Sequence, residues 1–243
     1  MKRAHFIAIG GSVMHNLAIA MKRMGYHVSG SDDEIFEPSK SMLGKYGLLP
    51  SQHGWFPEKI TSDTDLIILG MHAKQDNPEL QKAVNLKIPV YSFPEFLAMH
   101  SRQKKRIVIA GSHGKTTTTA MVLHVMKYCN MNADFMVGAR LEGFDLMVRL
   151  TEDADIMVFE GDEYLTSPLD RRPKFVHYRA HAAVINGIAW DHINVFPTEK
   201  IYHQQFEMLL DSMEPNGRLF WFREDEVLKR MVKNYKHKLN CSP

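Results

Sequence analysis

Val108-Ile109-Ala110-Gly111-Ser112-His113-Gly114-Lys115-Thr116-Thr117-Thr118-Thr119 is the stretch that decides the fold. An apolar run reads as a strand over 106–110, Gly111 to Gly114 as a turn, and Lys115 to Tyr128 as a helix. Backbone N–H groups at a helix N-terminus form an anion nest, and glycines let that backbone come close to phosphate oxygens. Gly111, Ser112, His113, Gly114, Lys115, Thr116 and Thr117 are therefore candidate phosphate-binding residues. The Lys115 ammonium would reach the β- and γ-phosphates, and the Thr116 hydroxyl suits Mg²⁺. The longer G-x-x-x-x-G-K-T pattern fails, because Ile109 stands five positions before Gly114; what stands is G-x-x-G-K-T.

Two further motifs follow apolar runs. Ile156–Phe159 leads into Glu160-Gly161-Asp162-Glu163, and Ala182–Ile185 leads into Asn186-Gly187-Ile188-Ala189-Trp190-Asp191-His192. Carboxylate oxygens suit hard cations, and parallel sheets present their ligands at the C-terminal strand edge. Taken singly, an acidic loop is a solvated loop and an Asp-His pair is structural. On successive strand ends beside a phosphate loop they read together as one site. The chain also opens on a strand, His5–Ile9, followed by Gly10-Gly11-Ser12, a helix over 16–24, a strand over 27–31 and Asp32. This resembles a dinucleotide fingerprint, in which a helix N-terminus takes a diphosphate and an acid takes a ribose hydroxyl, although it is not G-x-G-x-x-G. A purely structural glycine turn is the alternative. Strands at 66–69 and 89–91 flank a short helix over 79–85.

The expected fold class is α/β: a Rossmann-like parallel-sheet domain over residues 1–103, then a P-loop α/β domain over 104–243 that is incomplete. The basic segment His100–Arg106 reads as a solvated linker between them. Phe175–Tyr178 reads as extended, so His177 and His181 imply no shared metal face. Most of the 16 methionines read as core filler. Length is consistent: 243 residues fit between one and two domains, with 44% hydrophobic and 24% charged residues, ordinary for a globular protein. Thirty Lys and Arg against 28 Asp and Glu give +2, which argues against nucleic acid or an anionic membrane as partner. No apolar run is long enough to span a bilayer, and the N-terminus reads as a strand and not a signal peptide. Two cysteines, Cys129 and Cys241, make no disulfide framework, which fits a cytoplasmic setting.

These motifs in this order resemble the Mur ligases, ATP-dependent enzymes that build the peptide of bacterial cell-wall precursors. The resemblance runs through essentially the whole chain. It is most specific in Gly111–Thr119, in Glu160-Gly161-Asp162-Glu163 and in Asn186…Asp191-His192. Gly-Ser-His-Gly-Lys-Thr looks like the branch acting on UDP-N-acetylmuramate. The resemblance implies ATP and Mg²⁺ as cofactors, with Lys115 on the phosphates, Thr116 and Glu160 on one Mg²⁺, His192 on a second and Asn186 near the nucleotide. Lys115, Glu160 and His192 are the implied catalytic set. It implies UDP-N-acetylmuramate on Gly10, Gly11, Ser12, Asp32, His72 and Glu163, and an acyl-phosphate route to an amide. Asp162-Glu163-Tyr164 and Leu169–Tyr178 look like the recycling ligase that attaches L-alanyl-γ-D-glutamyl-meso-diaminopimelate. Asp76-Asn77-Pro78-Glu79 looks closer to the ligase that attaches L-alanine. Departures from the pattern are Ala8 for a glycine, Gly161 for an alanine and Ser112 for a threonine, the last two read as mild changes.

Family members carry a third, amine-receiving domain. The expectation is therefore a fragment lacking the C-terminal part of the ligase, and unable to ligate alone. A nucleotide-binding module without catalysis and a P-loop NTPase on another substrate are the competing readings; Glu160 and His192 speak against the second.

Overall fold

The structure is a computed structural model and describes residues 1–235 and 237–243. The chain divides into two compact units. The first comprises residues 1–96, 140–152 and 166–171; the second comprises 97–139, 153–165 and 172–243. The border falls inside a helix, Phe93–His100.

The first unit is built on four parallel strands, β1 (Arg3–Ile7), β2 (His27–Ser31), β3 (Leu66–Leu69) and β4 (Val90–Ser92), in the order β2-β1-β3-β4. β3 is an unbroken apolar run because it is covered on both faces. Ile7, Ile67, Leu69, Leu80, Ala83 and Ile88 form the core on one side. Helix α1 (Ser12–Arg23) closes with Lys22 and Arg23 in its last turn, where cations suit the dipole, and Gly25 follows at φ +87°. Helix α2 spans Ser39–Lys45. Helix α3 (Pro78–Asn85) is capped by the Asn77 side chain, which accepts from Glu79 N and Leu80 N, with Pro78 in the first turn. The chain crosses from β1 to β2 on one side and to β3 on the other, so the C-terminal end of β1 is the topological switch point.

The second unit carries β5 (Lys105–Ala110), β6 (Ala133–Met136), β7 (Ile156–Glu160), β8 (Ala182–Ile185), β9 (Arg218–Trp221) and β10 (Asn240–Ser242). All are parallel, in the order β10-β9-β8-β5-β7-β6. The strand feeding the glycine loop therefore lies between the two strands that carry the acidic and Asn…His motifs. The phosphate-loop helix runs over Lys115–Tyr128. Two later helices, Glu199–Ser212 and Glu226–Lys233, are capped by Thr198 and Asp225.

The fold class expected from the sequence is the one found: mixed α/β with parallel sheets. Several boundaries differ. β1 ends at Ile7 because Ala8 turns to φ +67°, and α1 starts at Ser12, four residues earlier than the periodicity suggests. Lys174–Tyr178 is a 3₁₀ helix, not extended. The basic segment is not a solvated connection. Ser101, Lys104 and Arg106 are buried. Lys104 Nζ lies 2.5 Å from Asp134 Oδ2, with His100 Nε2 3.2 Å from the same oxygen. Arg106 pairs with Glu214 at 2.8 Å and donates to the Arg179, Ser101 and Arg102 carbonyls. A run of basic residues reads as surface only while its acidic partners, 30 and 108 positions further on, are out of sight.

Candidate functional site

The second unit brings its motifs together at one sheet edge. Ile109 pairs with Glu160 and Ala110 with Ile185, so Gly111, Gly161 and Asn186 leave their strands side by side. Gly111 has φ +128°, and a Cβ there would lie 2.9 Å from Gly187 O and 3.0 Å from Asn186 N; this position requires glycine. Gly114 (φ +74°) sits at the N-cap of the following helix. That helix start has no side-chain cap and no acidic residue in its first turn, which leaves its N–H groups and positive dipole end for an anion.

Lys115 Nζ is folded over this loop, 2.6 Å from Gly111 O and 3.2 Å from Glu163 Oε2. Thr116 Oγ1 donates to Glu160 Oε1 at 2.8 Å, and Glu160 Oε2 accepts from Gly138 N at 3.0 Å. Asn186 Nδ2 donates to Thr118 Oγ1 at 2.9 Å; Thr118, which the sequence reading leaves out, thus meets Asn186, while Thr117 is exposed. His113 is exposed, with Nε2 3.6 Å from Asp191 Oδ2. His192 Nε2 lies 3.5 Å from Asp191 Oδ2 and 3.7 Å from Glu163 Oε1, and its ring packs edge-on against Tyr164.

Glu163 is 1% exposed, and among the described residues its Oε1 has no hydrogen-bond partner. Burial pushes its carboxyl up from the usual range, against the opposing pull of Lys115. An unmade bond at a buried carboxylate is costly, so this oxygen is the one most ready to take a donor or a cation. Ser112 joins two elements: Tyr202 OH donates to Ser112 Oγ at 2.8 Å, and Ser112 Oγ donates to Ala189 O at 2.6 Å. Tyr202 left no signal in the sequence beyond an apolar helix position.

Gly161 is not a mild replacement for alanine. A Cβ there would lie 2.7 Å from Val108 Cγ1 and 3.2 Å from Ile109 O.

The first unit gathers its residues at the switch point. Gly11 caps α1 without a side-chain bond, and no acid lies in that first turn. Ser12 Oγ reaches Met147 Sδ at 3.7 Å, a weak contact. Gly10 N donates to Asp32 Oδ2 at 2.6 Å, and Asp32 is buried. His72 is exposed and lines a cavity of about 270 Å³ with Asp33, Trp55, Lys74, Asp76 and Asn77. Trp55 and Lys74 were not foreseen; a lone Trp in the polar stretch His53-Gly54-Trp55 was the available signal. Glu79 Oε1 accepts from Phe56 N at 2.7 Å and so holds the Trp55 loop to α3. Among the described residues no helix is long and apolar enough to cross a membrane.

Two family models match the chain. The Mur ligase family catalytic domain covers residues 3–105, and the Mur ligase middle domain covers 109–241. The UDP-N-acetylmuramate–L-alanyl-γ-D-glutamyl-meso-2,6-diaminoheptandioate ligase of Escherichia coli K12 is 32% identical over 95% of this chain and 50% of its own length. The UDP-N-acetylmuramate–L-alanine ligase of Carboxydothermus hydrogenoformans is 33% identical over 97% of this chain and 49% of its own. The chain thus spans about half the length of the curated relatives it matches. Among solved structures, the UDP-N-acetylmuramate:L-alanyl-γ-D-glutamyl-meso-diaminopimelate ligase from Neisseria meningitides superposes with a TM-score of 0.85 at 30% identity. That match covers 96% of this chain and 75% of the other.

Proposed function

This chain belongs to the Mur ligase family, and from that premise we propose that it supplies the UDP-N-acetylmuramate site and the ATP site of a cytoplasmic amide ligase. Residues 1–103 would hold the UDP-sugar and 104–243 the nucleotide. The observation that carries the reading is the Thr116–Glu160 hydrogen bond of 2.8 Å, beside Lys115 at an uncapped helix start. A hydroxyl and a carboxylate converging on one point, both hard oxygen donors, suit Mg²⁺.

Thr116 and Glu160 would hold one Mg²⁺. His192 would hold a second, with the unpartnered Glu163 oxygen 3.7 Å from its Nε2. Mg²⁺ when bound supplies neutralisation of phosphate charge. Lys115 would grip the phosphates, and the N–H groups of Gly111–Thr117 would cradle them. The lactoyl carboxylate of the muramyl sugar attacks the γ-phosphorus and the bond to ADP breaks, giving an acyl phosphate. The incoming amine then attacks the acyl carbon. Phosphate leaves with the C–O bonding pair, the amide forms, and the amine proton passes to solvent. The chain's own contribution is positioning and charge neutralisation, as in phosphoryl transfer generally.

For the amine, the reading favoured is the tripeptide L-alanyl-γ-D-glutamyl-meso-diaminopimelate, in peptidoglycan recycling. Supporting it are Asp162-Glu163-Tyr164 and the Leu169–Tyr178 stretch. The test is mass-spectrometric detection of the amide when the natural protein carrying this chain is given ATP, Mg²⁺, UDP-N-acetylmuramate and either L-alanine or the tripeptide. The tripeptide product is expected to dominate. A dominant L-alanine product would reassign the amine, and no amide with either would remove the ligase reading.

A further inference from the structure

A Rossmann-type reading gives the acid after the second strand to a ribose hydroxyl. The structure uses it otherwise. Asp32 is 4% exposed, and its Oδ2 accepts the Gly10 N–H at 2.6 Å. The Asp33 carboxyl beside it opposes its ionisation. The Asp32 backbone is fixed too, since its carbonyl accepts from Gly54 N at 2.7 Å. One residue earlier, Ser31 O accepts from both Ala8 N (2.9 Å) and Ile9 N (3.1 Å).

These bonds brace a turn whose backbone is strained at Ala8. Ala8 stands at φ +67°, the left-handed region where a residue with a Cβ is strained. Gly10 carries no Cβ because one would lie 2.9 Å from Asp32 Oδ2 and 3.0 Å from Ile35 Cγ1. The close approach of the carboxylate and the missing side chain are two sides of one fit.

We infer that Asp32 is a positioning residue for the diphosphate-binding turn: it occupies the Gly10 N–H and thereby aims the Gly11 and Ser12 start of α1 at the ligand, and it does not read the ribose. The inference rests on the proposed UDP-sugar site in the first unit. Its chemical consequence is that the phosphates meet the amides from Gly11 onward and not that of Gly10, which is already spent on the carboxylate. Burial, helped by the neighbouring Asp33 charge, outweighs the Gly10 bond and raises the Asp32 carboxyl to about 6; the turn needs only an acceptor oxygen for Gly10 N, charged or neutral.

The test separates turn from ribose by using ligands with and without phosphates. UDP and uridine are titrated by NMR into the full chain and into its Asp32→Ala and Asp32→Asn variants, with the folded spectrum of each checked first. Asn retains an acceptor oxygen for Gly10 N. Asp32→Ala is expected to weaken UDP by about tenfold, the worth of one hydrogen bond to a charged group. Uridine should bind as in the parent, and Asp32→Asn should restore most of the UDP affinity. Equal weakening of UDP and uridine would overturn the inference and return Asp32 to the ribose. Unchanged UDP binding in Asp32→Ala would overturn it as well. Should Asp32→Ala not fold, the Asp32→Asn data decide: a loss shared by uridine and UDP overturns the inference, and near-parent binding of both supports it. A parent chain that binds neither ligand would remove the UDP-sugar reading beneath the inference, an outcome distinct from all of these.

Discussion

Single residues in this chain are chosen by what approaches them. Gly161 is a glycine because Val108 and Ile109 leave no room for a methyl at the end of β7, and Gly111 because Asn186 and Gly187 crowd it. Such reasons are invisible in a linear sequence, where Gly161 reads as a harmless change from alanine; the crowding comes from a strand about fifty positions earlier. Asp32 is a residue whose charge state bears on stability. Its folded carboxyl is raised to about 6 from 3.8, so it favours the folded state fully only below about pH 4, and that contribution is lost as pH rises through 6. Asp32→Asn removes the cost of burying the charge while retaining the acceptor for Gly10. Thermal unfolding is therefore expected to show Asp32→Asn more stable than the parent at pH 7, by on the order of 1–3 kcal/mol, with the gap closing toward pH 4. A variant less stable than the parent at pH 7 would contradict the assignment.

At the scale of elements, long apolar runs were legible and polar interruptions were not. Strands at 27–31, 66–69 and 182–185 and the helix over 115–128 fall where the residue pattern puts them. The helix Phe93–His100 escaped because its apolar residues make no single stripe. Its start signal is there in Ser92 and Glu95: Ser92 N and Oγ both donate to Glu95 Oε2, at 2.8 and 2.7 Å. β6 escaped because Asp134 breaks the apolar run Ala133–Met136. That aspartate is fully buried, with Lys104 and His100 on its carboxylate, and it fastens β6 to the segment leading into β5. Asp134→Ala leaves the Lys104 ammonium buried without this counter-charge, and removing one partner of a buried pair costs about 3–5 kcal/mol. Urea denaturation should show a loss of that order; a change under 1 kcal/mol would mean that the cluster contributes nothing to the second unit's stability.

Over the whole molecule, the alternation of strands and helices and the three strand-end motifs were enough to infer a mixed α/β fold with parallel sheets and to set those motifs at one sheet edge. The P-loop edge was the most legible part of the candidate site. Its residues lie within a few positions of strand ends, and the parallel order β8-β5-β7 makes them neighbours. Trp55, Thr118 and Tyr202 were not legible, since their roles depend on partners far away in sequence. The central claim is a division of labour: phosphates of ATP on the second unit, UDP-sugar on the first. Calorimetric titration of Lys115→Ala with Mg-ATP and, separately, with UDP-N-acetylmuramate tests it most directly. The account predicts that Mg-ATP binding is abolished while UDP-N-acetylmuramate binds as in the parent; equal loss of both, or Mg-ATP binding that persists unchanged, would contradict it.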